Sequence, residues 1–314
     1  MIRPLSILML TFALTGGVAS TAEGRTAVGV GEQVAAPFGE PAWQATGLKK
    51  SRIVIPWEVA VKNDGSRVKM DSFYRQSRQF RVELLVAFNH SDGSKCPRRP
   101  CRRPSSRSYT RAFKAFRKRY PRLKVIAPWN EANHRTQPTF KSPKAAATYY
   151  NIVRKHCRGC KIVAADVIDE SNVRRWVGVF RRTARRPRIW GLHNYRDTNP
   201  RRGQKLGGTR AFLRIVRRGE VWLTETGGIV TFKLDGGGTL FPTSERRADS
   251  ATKRMFRLAK SNRRRIKRLY IYHWRAPSKR ARFDAGLLRN DGTERPAYRT
   301  LLKTLKDQRR FFGR

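Results

Sequence analysis

Val125-Ile126-Ala127-Pro128-Trp129-Asn130-Glu131-Ala132-Asn133-His134 is the stretch on which the fold turns. A short apolar run ends on a carboxylate and then passes into small and polar residues. Acids are scarce in this chain, 22 Asp and Glu against 70 Lys and Arg, so a Glu closing an apolar run stands out. The same grammar recurs at Val221-Trp222-Leu223-Thr224-Glu225-Thr226-Gly227-Gly228. Working outward from these two, apolar and β-branched runs of strand length are predicted at Thr26–Val30, Arg52–Val59, Val82–Asn89, Val125–Glu131, Lys161–Ile168, Ile189–Tyr195, Val221–Glu225 and Leu269–Trp274. Their hydrophobicity is continuous rather than alternating, as befits strands buried on both faces under a cover of helices.

Between the strands the apolar spacing turns helical. Phe113, Phe116 and Tyr120 share one face, as do Ala146, Tyr149, Tyr150 and Val153 behind Ser142 and Pro143. Further faces are Val173/Trp176/Val177/Phe180, Phe212/Leu213/Val216, Met255/Phe256/Ala259 and Tyr298/Leu301/Leu302/Leu305, with a short first helix at Pro41–Thr46. Eight strand–helix units fit a single (β/α)8 barrel, an α/β fold of the TIM type, over residues 23–314. An open doubly wound sheet is the alternative. Against it, Val28-Gly29-Val30-Gly31-Glu32 is only a partial echo of a phosphate-binding loop. Two long loops, Asn89 to Ser108 and Gly227 to Ser244, follow the third and seventh strands. They are expected at the carboxyl-terminal rim, where barrels build their sites.

Residues 1–22 read apart from the rest. Arg3, the apolar Leu5 to Leu14 and the small Ser20-Thr21-Ala22 form the pattern of a secretory signal peptide, so an extracellular protein is expected, without a transmembrane segment. Export in turn makes disulfides the expectation for Cys96/Cys101 and Cys157/Cys160, a zinc site at Cys157-x-x-Cys160 being the competing reading. The net charge of +48 is spread along the chain, from Arg98-Arg99 to Arg309-Arg310, with no groove-reading motif beside it. It reads as a solvated surface with loose affinity for anionic polymers, and no dedicated nucleic-acid site is expected. No cofactor and no metal is expected either.

Glu131 and Glu225 close strands four and seven, so both fall at the top of a narrow barrel and face one cleft. Breaking a glycosidic bond through an oxocarbenium-like state needs such a pair, one carboxyl to protonate the leaving oxygen and one carboxylate for the anomeric carbon. Asn130 is placed to hydrogen-bond a sugar hydroxyl beside them. Trp57, Trp129 and Trp274 offer faces for pyranose rings, Trp274 foremost, and Glu58 at the end of strand two is a reserve carboxylate. Asn89-His90 is a further candidate for the cleft wall.

The pattern resembles clan A of the retaining glycoside hydrolases, which carry the acid/base after an Asn on strand four and the nucleophile on strand seven. The likeness rests on Trp129-Asn130-Glu131, on Trp222-Leu223-Thr224-Glu225-Thr226-Gly227 and on strand order over most of the chain. It implies Glu131 as acid/base and Glu225 as nucleophile. Through the clan's His-x-Tyr, here His193-Asn194-Tyr195, it implies a Tyr195 hydroxyl bonded to the nucleophile and a substrate-facing His193. Through Tyr272-His273-Trp274 it implies Trp274 as the floor of a sugar subsite. Many clan members carry a basic residue early in the barrel, for which the sequence offers no position. Glu131 is expected to hold its proton, its pKa raised by the second carboxylate and by burial against Trp129. The expected substrate is a carbohydrate; a non-catalytic barrel binding cell-wall polysaccharide or polyanion and a nuclease supported by charge alone are the competing functions.

Overall fold

The computed structural model describes residues 25–91, 95–204 and 206–312, so the expected signal peptide at 1–22 lies outside the described residues. In chain order the elements are β1 (Ala27–Gly31), α1 (Pro41–Thr46), β2 (Lys50–Pro56), α2 (Gly65–Gln79), β3 (Glu83–Asn89), α3 (Ser106–Arg119), β4 (Val125–Ala127), α4 (Pro143–His156), β5 (Lys161–Ile168), α5 (Val173–Thr183) and β6 (Ile189–His193). They continue through α6 (Tyr195–Thr198), α7 (Gly208–Ile215), β7 (Glu220–Thr226), β8 (Thr231–Lys233), β9 (Thr239–Phe241), α8 (Glu245–Ser261), β10 (Ile266–Tyr272), β11 (Phe283–Asp284) and α9 (Pro296–Phe312). β1 to β7 and β10 close into an all-parallel barrel in sequential order, β10 pairing with both β7 and β1. The eight expected strands are therefore present, and the open-sheet alternative is excluded.

Continuous apolar runs serve two cores at once. Residues facing the axis (Val54, Leu85, Ala87, Val125, Ala127, Val163, Ile189, Trp222 and Tyr270) fill the barrel. Alternate residues face outward and join the helices in a larger shell that includes Phe73, Phe113, Phe116, Trp176, Phe180 and Tyr298. Gly29 makes room for the interior: a Cβ there would stand 2.7 Å from the Tyr270 ring.

Three features depart from expectation. β4 is only three residues long, because Pro128 has no N–H to give the ladder and the chain peels away toward Glu131. Helix α2 carries few apolar residues, burying Met70, Phe73 and Ser77, and starts where Asp64 accepts the N–H groups of Ser66 and Arg67. The loop after β7 folds back as β8 and β9 and, with β11 from the loop after β10, makes an antiparallel sheet over the barrel mouth. Cys96–Cys101 and Cys157–Cys160 are disulfides, as expected. Among the described residues no helix is long and apolar enough to cross a membrane.

Candidate active site

The carboxyl-terminal ends of the barrel strands open into a cleft of about 830 Å³ that contains both Glu131 and Glu225. Glu131 sits just past β4 with φ 45°, in the left-handed region that costs a non-glycine residue on the order of 1 kcal/mol or more. Flanking hydrogen bonds hold it there: Asn130 N–H to the Phe88 carbonyl at 2.7 Å and Ala132 N–H to the Asp166 carbonyl at 3.0 Å. Glu225 projects from β7. Ligand-bearing atoms of Glu131, His193 and Glu225 all lie within 4.8 Å of one another, so the two carboxylates face each other across a short gap.

A buried cation organises the floor. Arg52 on β2, fully buried, donates to Glu225 Oε2 at 2.7 Å and to Asn130 Oδ1 at 2.5 Å, and its Nη2 stands 3.3 Å from Asp166 Oδ2. Burial opposes its charge, but Glu225 and Asp166 outweigh it and hold the guanidinium above its ordinary value. Asp166 reaches this position through an irregularity in β5, where the register slips between Ala164 and Val167 and Ala165 adopts φ 47°. Gly191 on the next strand leaves it space, since a Cβ there would fall 2.3 Å from Asp166 Oδ1. Burial would raise the Asp166 carboxyl, yet His193, Arg52 and the Thr224 hydroxyl hold it at about 2.

His193 links the two carboxylates. Its Nδ1 is 3.2 Å from Glu131 Oε1 and 3.8 Å from Glu225 Oε2, and its Nε2 is 3.4 Å from Asp166 Oδ1. Burial favours the neutral ring, but Glu225 and Asp166 push its pKa up to about 10, so the imidazolium is present at neutral pH. This corrects the expectation for Glu131. Burial does raise its carboxyl, but the hydrogen bond and charge of His193, with His134 and Arg52, bring it below its ordinary value. The surrounding charges favour the proton on His193 over Glu131.

The Tyr195 hydroxyl donates to Glu225 Oε1 at 3.0 Å. Asn130, by contrast, is 7% exposed and turned to Arg52, where it orients the cation. Trp274 is not a subsite floor. It is 1% exposed, its indole N–H goes to Glu40 Oε2, and its ring meets Trp43 and Tyr298 edge-on. β10 ends two residues earlier, and it is Tyr272 that lines the cleft. Trp129 is also core, stacked on Tyr149 with its N–H on Gln137. Half-buried Trp57 stacks on Tyr109, Glu58 pairs with Lys62, and these two with Asn89 and His90 are not among the cleft residues. Arg52 is a basic residue early in the barrel, for which the sequence offered no position. The available signal was an Arg inside a run buried on both faces.

The remaining walls differ in kind. Tyr272, Phe283 and Phe232, with Leu240 and Phe241, make an aromatic and apolar side in which Phe283 meets Tyr195 and Phe232 edge-on. His134, Asp169, Glu170, Arg196, Arg201 and Arg202 make a polar one. Glu131, His193 and Glu225 could each offer a metal one ligand atom, but Arg52 and protonated His193 already meet both carboxylates.

Solved structures share this fold. A family 39 glycoside hydrolase from the gut symbiont Bacteroides cellulosilyticus WH2 superposes over 90% of this chain with a TM-score of 0.64 at 16% identity. Saccharomyces cerevisiae Gas2p, in complex with laminaritriose and laminaritetraose, superposes over 91% with a TM-score of 0.57 at 12% identity. The chain spans 64% and 65% of the lengths of these proteins. No protein-family model and no curated protein sequence matches the chain. The (β/α)8 fold that the resemblance implied is thus one that solved glycoside hydrolases share.

Proposed function

We propose that the chain is a secreted retaining glycoside hydrolase cleaving O-glycosidic bonds of an oligo- or polysaccharide, with Glu225 as nucleophile and Glu131 as acid/base. One observation carries this reading: an oxygen of Glu131 and an oxygen of Glu225 lie within 4.8 Å of each other, with the Tyr195 hydroxyl and the Arg52 guanidinium on Glu225. Retaining enzymes hold the pair at about 5–5.5 Å, whereas inverting ones leave about 6.5–9.5 Å for a water.

The proton inventory closes over a double displacement. At rest the proton of the pair is held by His193 rather than by Glu131. Glu225 attacks the anomeric carbon, and its charge disappears into the ester. Glu225 is the foremost group holding the proton on His193, so that proton passes through Glu131 to the departing oxygen. Glu131, ionised again, takes a proton from water as the hydroxyl displaces Glu225, and His193 is recharged. The pair acts as one acid, which is why Glu131 works without a raised pKa of its own.

Export is supported by the N-terminal pattern at residues 1–22 and by the two disulfides. The net charge of +48 supports loose adhesion to anionic polymers. That adhesion should vanish by ~1 M salt, where screening reaches ~3 Å.

The test is a panel of chromogenic glycosides and polysaccharides, with the first product followed by NMR at its anomeric proton. Retained configuration is expected. An inverted first product, or binding without cleavage of any substrate, overturns the proposal.

A further inference from the structure

Among the described residues, carboxylates buried at or near the barrel mouth are met by donors with one exception in the cleft. Asp166 has Arg52, His193 and Thr224. Asp197 has the N–H groups of Gly207, Gly208 and Thr209. Asp284 has Arg295 and Gly286 N–H, and Glu32 has the N–H groups of Gln33, Val34 and Arg275. Asp169, just past β5, is 5% exposed and lines the cleft, and its Oδ2 accepts Arg196 N–H at 3.2 Å while its Oδ1 has no partner. Glu58 also has an unpartnered oxygen, but it lies outside the cleft.

An orphaned buried carboxylate oxygen costs its full desolvation unless a donor arrives from elsewhere. Asp169 lines the cleft, so the donor can come from a molecule bound there. We infer that Asp169 is a substrate-binding residue whose Oδ1 accepts a hydroxyl of the sugar on the Glu131 side of the cleft, where the leaving group departs; this rests on the glycosidase reading. A neutral hydroxyl fits better than a cation. Both oxygens of neighbouring Asp197 are already engaged, and Arg196 stands against the Asp169 carbonyl at 3.4 Å. The groups that face the Asp169 carboxyl are Asp197 and Arg196; burial and then Asp197 lift its pKa to about 7, with Arg196 opposing. A hydroxyl donor favours the ionised form, so sugar binding releases the proton and strengthens as pH rises through about 7.

The probes are laminaritetraose, cellotetraose, xylotetraose and mannotetraose, assayed for hydrolysis and by calorimetry with the parent, Asp169→Ala and Asp169→Asn. Where the parent cleaves a probe, Asp169→Ala should raise KM roughly 10- to 100-fold with kcat within about threefold, the effect of losing a hydrogen bond to a charged acceptor. The parent's KM should fall as pH rises through about 7, whereas both variants should be flat. Asp169→Asn, whose single oxygen stays on the Arg196 N–H and whose NH2 takes the place of Oδ1, should keep the fold and lose affinity as Asp169→Ala does. An unchanged KM in Asp169→Ala overturns the assignment and leaves the glycosidase reading standing, and so does a collapse of kcat and folding together. Where the parent cleaves nothing, that reading fails and calorimetry decides: weaker saccharide binding by Asp169→Ala supports the assignment. A parent that binds no probe at ~10 mM overturns it.

Discussion

Replacing Asp169 by Asn should stabilise the protein in alkaline solution and leave it unchanged in acid. The folded carboxyl titrates at about 7 and the ordinary value is 3.8, a gap of roughly three pH units. At ~1.4 kcal/mol per unit the gap corresponds to a ceiling of ~4 kcal/mol. The sign follows from proton binding. The folded state holds the proton more tightly, so its advantage is complete below about pH 4 and is lost as pH rises through about 7. Asn carries no charge and keeps an oxygen for Arg196 N–H. The stability difference between variant and parent should therefore be near zero at pH 4, climb through neutrality and level off above about pH 8. Urea unfolding of both proteins at matched pH reads it directly, and taking the difference cancels the titration of every other group. A difference that does not vary with pH, or a variant weaker than the parent at pH 9, would refute the placement of a buried, unmet carboxylate at this position.

Other expectations are as direct. Glu225→Ala should abolish turnover, with azide restoring some activity and an inverted product; Glu131→Ala should slow poor leaving groups by about 10²–10⁴-fold and spare the first step on activated aryl glycosides. Arg52→Met should cost 3–5 kcal/mol in chemical unfolding, roughly the loss on breaking a buried ion pair, because Asp166 would stay charged in the barrel floor. Trp274→Ala should lower stability by roughly 3–5 kcal/mol with KM unchanged, as a core cavity does; a selective rise in KM would return it to the cleft.

Strand positions were legible because a strand buried on both faces has to be apolar throughout. β5 matches its expected span, Lys161–Ile168, residue for residue. Helix α2 was not legible, since Met70 and Phe73 give too short an apolar stripe to declare a period. The two glutamates could be placed because each closes an apolar run, and Tyr195 followed by resemblance. The lowered pKa of Glu131 could not be read, because it depends on His193, His134 and Arg52, which the fold gathers from separate elements. Trp274 was misread by two residues. It lies past the end of β10, and its ring packs outward against Trp43 of α1 and Tyr298 of α9. A charged residue inside a run without polar faces, as at Arg52 and Asp166, was the unused clue.

The small sheet over the mouth brings two distant loops into one object. β8 and β9 belong to the connection after β7, β11 to the one after β10, and Val230 N–H joins them through the Asp284 carbonyl. Phe232 and Phe283, paired across that seam, form one wall of the cleft. Neither loop can therefore be exchanged alone with a relative's counterpart, since a graft would arrive without its matching strand. A change of ligand preference along this wall would have to be inherited as a pair of compensating changes some fifty residues apart in the chain, while the barrel beneath is left as it was.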